Sequence, residues 1–251
     1  PTKTFRDMFL EAVKENNLDF NKLNKIYNFS FVLQHPNNRI VIPVKKPQLY
    51  LVSAYSVHHD SDDCIEIVSH KLSVMKQFEW MNTTIKFPKV YPFKEYTELI
   101  DKYGSMNTPY DIMGVVIKNE NTFERTKIRN PVYEEIKILR GNQPKLQYQY
   151  LSLRKQGKVK DYLKYYKEHR VSFNDFKNQI HNFTNTLLNN YICCYVKKEK
   201  PLLEFPQQYR THMFNLHQTY IKELMAKKLY INKSFVINYI NHLEPSLLMY
   251  S

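Results

Sequence analysis

The spacing of apolar residues changes near Asn130, about halfway along the chain. Before that point, short apolar runs alternate with turn residues, which is typical of β-strands joined by tight connections. The expected strands cover residues 27–33, 39–44, 48–57 and 64–68. Short connections favour antiparallel neighbours, so an antiparallel sheet is expected in the first half of the chain.

The last part of this half, residues 111–130, predicts a β-hairpin with an apolar run at 112–117, a turn at 119–122 and a return strand at 123–129. Side chains in a strand alternate between two faces. The alternation puts Arg125, Lys127 and Arg129 on one face, and Thr126 and Ile128 on the other. Successive cations would lie about 6–7 Å apart, which suits neighbouring phosphates of one polyphosphate. The alternative is an exposed edge strand that its charge keeps soluble.

Beyond Asn130 the apolar spacing becomes helical. Asn130 and Pro131, followed by two glutamates, predict a helix start. The longest apolar stripe advances by steps of three and four residues and predicts a helix that begins at Ser172, with Asp175 in its first turn. Its members are Phe173, Phe176, Ile180, Phe183, Leu187, Tyr191 and Cys194.

These patterns predict an α+β protein. The expected domains are an antiparallel-sheet half over residues 1–130 and an all-helical, basic half over residues 131–251. The net charge of +13 is uneven, because residues 131–251 carry 19 Lys and Arg against 9 Asp and Glu. A basic segment rich in aromatic residues suits RNA, since cations bind phosphates and rings stack on bases.

The best candidates for RNA contact lie where tyrosines alternate with cations. They are Tyr148, Tyr150, Arg154, Lys155, Lys158 and Lys160. The alternative interpretation of this segment is a solvated, lysine-rich helix face.

Composition excludes several classes of protein. Four scattered glycines are too few for a dinucleotide fold or a phosphate loop, and 35 tyrosines and phenylalanines argue against disorder. Cys64, Cys193 and Cys194 form neither a disulfide framework nor a zinc motif. No membrane span or signal peptide is visible. We therefore expect a cytoplasmic protein that has no membrane partner.

Three short motifs in order resemble those of ATP-dependent RNA ligases, the covalent nucleotidyltransferases of the phage tRNA-repair type. The first motif matches Phe29, Phe31, Asn38, Arg39, Ile40 and Val41; the second, Gly114 and Val115; the third, Lys127, Ile128 and Arg129. The resemblance covers roughly residues 5–140. It implies that the sheet half is a partial nucleotidyltransferase domain followed by a helical RNA-binding appendage.

The resemblance also implies a mechanism. In that family a lysine of a KxDG motif attacks the α-phosphate of ATP to form lysyl-AMP. The adenylate passes to an RNA 5′-phosphate, and a 3′-hydroxyl then displaces AMP, with Mg²⁺ and cations neutralising the phosphates. The nucleotide and phosphate contacts implied here are Phe29, Phe31, Arg39, Arg125, Lys127 and Arg129.

The chain differs from the family at the positions of its nucleophile and of two carboxylates. It contains no KxDG motif, Ser30 stands where the family has a carboxylate, and Met113 stands where a second carboxylate precedes the glycine. Asp111, two residues earlier, is the remaining weak candidate for a metal ligand if the strand is bulged.

Two interpretations of this departure follow. The chain is the C-terminal portion of a longer ligase, whose nucleophile lies in an N-terminal segment or a further chain, or it is a non-catalytic RNA-binding protein or assembly subunit. A first residue, Pro1, that is not Met favours the first interpretation. Frequent Asn, Lys and Tyr indicate an AT-rich genome, as in many large DNA viruses, and hence a viral protein in the host cytoplasm.

Overall fold

The computed structural model describes residues 3–59, 65–75, 80 and 82–250. The chain divides into two compact units, Pro1–Ile138 (unit 1) and Leu139–Ser251 (unit 2). Unit 1 contains small antiparallel sheets and unit 2 is mostly helical, so the predicted α+β class is confirmed. None of the helices in the described part of the chain has the length and apolarity needed to cross a lipid bilayer.

Unit 1 contains a three-stranded antiparallel sheet in the order β1, β2, β3. The strands are β1 (Tyr27–Gln34), β2 (Gln48–His59) and β3 (Ile65–His70). Gln34 lies opposite Gln48, and the register shifts between Ser30 and Phe31. The predicted strands at 27–33 and 48–57 are therefore confirmed.

The strand predicted at 39–44 is wrong. This segment lies in the connection between β1 and β2, which begins with a 3₁₀ turn at Pro36–Asn38. His35 is buried, and its Nδ1 atom accepts from the Asn37 N–H at 3.1 Å. Because β1 pairs directly with β2, the apolar residues of the connection do not enter the sheet.

The inner face of this sheet packs against helix α1 (Phe5–Glu15). Leu49 and Leu51 of β2 are fully buried with Ala12 of α1. Trp80 completes the cluster. An apolar core of this kind fixes the register of a strand, because a slip by one residue would turn its apolar side chains outward.

The hairpin predicted at 111–130 is present as strands β4 (Gly114–Lys118) and β5 (Arg125–Arg129). The return strand starts at Arg125 and not at residue 123, because Phe123 has a φ of 59° and belongs to the turn. Asn119 Oδ1 accepts from the backbone N–H groups of Asn121 and Thr122 at 2.9 and 3.2 Å. A short helix, α2 (Leu72–Met75), lies between β3 and the hairpin in sequence, and the hairpin packs on helix α3 (Tyr96–Tyr103).

Asn130 follows β5 and is completely buried. Its Nδ2 group donates to the carbonyl oxygens of Pro109 and Ile112, both at 2.8 Å. Its Oδ1 atom accepts from the Val132 N–H at 2.9 Å, at the start of helix α4 (Pro131–Arg140). One side chain thus ties the loop before β4, the end of β5 and the first turn of α4, and the helix start predicted from Asn130 and Pro131 is confirmed.

Unit 2 contains six further helices in its described residues. They are α5 (Leu146–Lys155), α6 (Val159–Tyr165), α7 (Arg170–Tyr191), α8 (Gln207–Thr219), α9 (Lys233–His242) and α10 (Pro245–Leu248). The apolar stripe of α7 is confirmed, with Phe173, Leu187 and Tyr191 buried. The helix starts at Arg170 and not at Ser172, because the 3₁₀ turn at Lys167–His169 leads directly into it.

Replacement of Asn130 by alanine is expected to lower the free energy of unfolding of unit 1 by about 1–3 kcal/mol, because buried carbonyl groups lose their donor. The measurement is urea unfolding followed by the fluorescence of Trp80, the single tryptophan of the chain. Asn121→Ala, at an exposed turn position, is the matched control. Equal stability of the two variants would contradict the role given to Asn130.

Candidate phosphate-binding site

The outer face of the hairpin carries four exposed cations, Lys118, Arg125, Lys127 and Arg129, which we call the cationic face. Lys118 of β4 lies directly opposite Arg125 of β5. Sequence reasoning missed Lys118 because it ends an apolar run. The expected pairing of Lys118 with Arg125 across the turn would have indicated that Lys118 belongs to the same face.

The opposite face of the hairpin keeps these cations turned outward. Ile128 lies between Lys127 and Arg129 in sequence but is 8% exposed, and it packs with Leu99 and Tyr103 of α3. Because side chains alternate along a strand, burial of Ile128 turns both neighbouring cations away from the core. The predicted arrangement of one charged and one apolar face is therefore present in the structure.

Gly114 allows the two strands to approach at the base of the hairpin. Its φ is +125°, and a Cβ atom at this position would lie 2.1 Å from the backbone oxygen of Ile128. Any other residue here would push β4 away from β5 opposite Arg129. The glycine matched to the second motif thus has a structural reason that is independent of the resemblance.

Within the part of the chain that the structure describes, the four cations differ in their partners. Arg129 contacts Glu134 at 3.8 Å, and the Lys118 Nζ atom lies 4.6 Å from the centre of the Phe123 ring. Arg125 and Lys127 have no carboxylate partner among the described residues. The middle of the cationic face is consequently the part most available to an anion.

The first predicted motif lies in a different apolar cluster of unit 1. The rings of Phe29 and Phe31 meet Trp80 edge to face, with ring centres 5.5 and 6.0 Å apart. Both phenylalanines are half-buried and form part of the core beside β2. The Arg39 Nε atom donates to the Val41 carbonyl oxygen at 3.1 Å. Their assignment as nucleotide contacts stays a prediction.

The predicted Mg²⁺ ligand, Asp111, lies in the loop that leads into the hairpin. Asp111 is exposed in the turn before β4, and Met113, in the position of the family carboxylate, is 55% exposed. Among the described residues no three acidic, histidine or cysteine side chains converge on one point. Because Mg²⁺ is commonly held by one or two carboxylates together with water and substrate phosphates, the assignment of Asp111 as a metal ligand stays a prediction.

The predicted RNA contacts in unit 2 differ in their exposure and in their partners. Tyr150 is 4% exposed and packs on Phe173 with ring centres 5.1 Å apart, so its ring has no exposed face for a base. Arg154 donates to Asn241, and Lys155 pairs with Glu244. Lys158 and Lys160 are exposed and Tyr148 is half-buried. Tyr150 therefore belongs to the core, and the other five assignments stay predictions.

No family model matches the chain. Over 217 residues, or 78% of its length, the chain is 25% identical to an immediate-early protein ICP-46 homolog of Invertebrate iridescent virus 6. Over 157 residues, or 53% of its length, it is 26% identical to an RNA ligase of Rhodothermus phage RM378. The matches cover 45% and 35% of these two viral proteins, so the chain spans less than half of either relative.

Replacement of Lys127 by alanine is expected to weaken the binding of inorganic tripolyphosphate about tenfold, because one charge-assisted hydrogen bond is lost. Isothermal titration calorimetry at low salt provides the measurement, and an unchanged melting temperature shows that the fold is intact. Lys22→Ala removes the same charge from another exposed site of unit 1. A similar loss of affinity in both variants would refute a specific site on the cationic face.

Proposed function

We propose that the chain is an RNA ligase, or the C-terminal portion of one, and that its cationic face binds the phosphates of ATP. The observation that carries the proposal is the row of exposed cations on a hairpin whose other face is buried. The partial similarity to the phage RNA ligase supports the same assignment.

The geometry suits a linear polyphosphate. Arg125, Lys127 and Arg129 alternate along β5, so their Cα atoms are about 6–7 Å apart. The strand is held on both sides, by pairing with β4 and by packing of Ile128 on α3. The backbone positions of the three cations are fixed in this way, so the spacing of their Cα atoms is set before an anion binds.

In the proposed reaction a lysine amine attacks the α-phosphorus of ATP, and the bond between this phosphorus and the bridging oxygen of pyrophosphate breaks. Negative charge then accumulates on the departing pyrophosphate. Lys127 and Arg129 would stabilise that charge, Lys127 without an acidic competitor among the described residues and Arg129 by exchanging its contact with Glu134. The role given to this hairpin is to bind the leaving group.

The attacking lysine would come from sequence outside these 251 residues or from a further chain. The chain has no KxDG motif, and it spans less than half of its ligase relative. Ser30 and Met113 also replace carboxylates of the family pattern. In this proposal the 251 residues supply phosphate binding and RNA binding, whereas the nucleophile is supplied elsewhere.

Incubation with ATP labelled at the α-phosphate, together with Mg²⁺, is expected to leave this chain unlabelled. A longer gene product that includes a KxDG lysine should acquire covalent AMP. In that product Lys127→Ala should slow the labelling at least tenfold, whereas Thr126→Ala, on the other face of β5, should leave the rate within about twofold. Gel autoradiography is the measurement.

The outcomes of the labelling experiment separate the ligase proposal from the non-catalytic alternative. If the longer product binds RNA but is never labelled, the proposal fails and the non-catalytic RNA-binding alternative takes its place. If both hairpin variants are slowed equally, the cationic face has no part in nucleotide binding. Labelling of the 251-residue chain itself would show that its nucleophile is one of its own lysines.

A further inference from the structure

Helices α7 and α8 run side by side in the same direction. The ring of Phe183 stacks on Tyr209 with ring centres 4.9 Å apart, and further along both helices Tyr195 stacks on His217 at 3.8 Å. Each helix ends in a π-helical turn, at Ile192–Val196 and at Tyr220–Leu224. The two turns therefore lie at the same end of unit 2. Turns of this type are frequent at functional sites.

Four rings meet at this end, and we call them the ring cluster: Tyr191, Tyr195, His217 and Tyr220. His217 is nearly parallel to Tyr195, at 15°, and to Tyr220, at 19°. Tyr195 and Tyr220 are half-buried, so part of each ring remains exposed to solvent.

Burial favours the neutral form of two rings of the cluster. Burial lowers the pKa of His217, and burial with the neighbouring tyrosines raises the pKa of Tyr191 to about 12. The Nδ1 atom of His217 is buried without a hydrogen-bond partner among the described residues. Neutral stacked rings with a partly exposed edge are a suitable platform for nucleobases, which stack with little regard to sequence.

Six exposed lysines lie in or shortly after the two π-helical turns, and we call them the lysine rim: Lys197, Lys198, Lys200, Lys222, Lys227 and Lys228. The same two segments contain only two acidic residues, Glu199 and Glu223. Within the described part of the chain, Lys197 is the one rim lysine with an ion pair, to Glu199 at 3.5 Å. The two segments therefore carry a net charge of +4, from six lysines and two glutamates.

Two rim lysines occupy an unusual backbone position. Lys198 has a φ of 57° and Lys228 a φ of 55°, each shortly after a π-helical turn. The left-handed conformation that ends a helix is normally taken by glycine or asparagine, because a Cβ atom is unfavourable there. A ligand that carried only negative charge could be bound by the lysines without aromatic rings. The combination of rings and cations indicates a ligand with both bases and phosphates.

We propose that the ring cluster and the lysine rim bind single-stranded RNA, with unpaired bases on Tyr195 and Tyr220 and the backbone phosphates on the lysines. A duplex fits less well, because its bases are already stacked on each other. The inference goes beyond the proposed nucleotidyl transfer, since it concerns unit 2 and does not require the chain to be a ligase. It also differs from the predicted surface around Tyr148 and Lys160.

The first test compares two triple variants of the full 251-residue chain. Lys197→Ala, Lys198→Ala and Lys222→Ala together remove three rim charges; Lys164→Ala, Lys167→Ala and Lys177→Ala remove three exposed charges elsewhere in unit 2 that belong to no predicted RNA contact. The probe is an unstructured 16-nucleotide RNA labelled with fluorescein, followed by fluorescence anisotropy between low and moderate salt.

The rim variant is expected to bind at least tenfold more weakly at low salt. Its plot of log affinity against log salt should be shallower by about 2, because each lost phosphate contact on a single strand contributes about 0.7 to the slope. The control variant should stay within about threefold of the unmodified chain. Equal losses in the two variants would overturn the location of the RNA site, and an unchanged affinity in both would overturn RNA binding by the lysine rim.

The second test concerns the rings. Tyr195→Leu is expected to weaken RNA binding about tenfold without changing the salt slope, because it removes a stacking surface and no charge. Tyr195→Phe keeps the ring and should bind normally, which separates stacking from loss of fold. Equal affinity of the leucine and phenylalanine variants would overturn the stacking role. The RNA-binding tests are made on the 251-residue chain without ATP, whereas the ligase proposal is tested by labelling of a longer product, so failure of the ligase proposal and failure of this inference are distinguishable.

Discussion

The side-chain amide of Asn130 is the interaction on which the architecture of the candidate site depends. It donates to two backbone carbonyls of the loop before β4 and accepts from the first turn of α4, and it is completely shielded from water. Only an amide supplies donors and an acceptor at one point; an aspartate would leave the carbonyls without donors. Since Asn130 follows Arg129 directly, fixing its position also fixes the end of β5 and the register of the cations on it.

Because Asn130 fixes the end of β5, one face of the hairpin can pack on the core while the other presents the cations. Ile128 and its neighbours on the inner face carry the packing on α3, while the outer cations are not required for the apolar core. Phe29 and Phe31 are different, because the same rings that match the ligase pattern also pack on Trp80. A substitution on the cationic face changes charge with little cost in packing, whereas one at either phenylalanine changes both.

Features fixed by neighbours in sequence could be predicted, and features fixed by distant partners could not. Alternation and turn residues are local, so the hairpin and its charged face followed from the sequence. Residues 39–44 do not form a strand because β1 pairs with β2. Tyr150 is buried because it packs against α7. Asn130 could be recognised as a helix cap, but its carbonyl partners more than fifteen residues earlier could not. The π-helical turns that bring Tyr195 and Tyr220 together do not alter the spacing of apolar residues along their helices, so they could not be predicted from that spacing.

The two positive surfaces suit phosphates in different settings. On the hairpin, the cations stand at regular intervals on a strand that is paired on one side and packed beneath, which favours a compact anion of fixed spacing. The lysine rim lies in and after the ends of two helices, where long side chains are exposed and rings lie beside them. In the proposed complex, the loss of side-chain freedom on this surface would be offset by the release of counterions from an extended polyanion. The contrast favours a nucleotide on the hairpin and a nucleic-acid strand on unit 2, because rigidity contributes most where the ligand is small and the transferred group must be positioned.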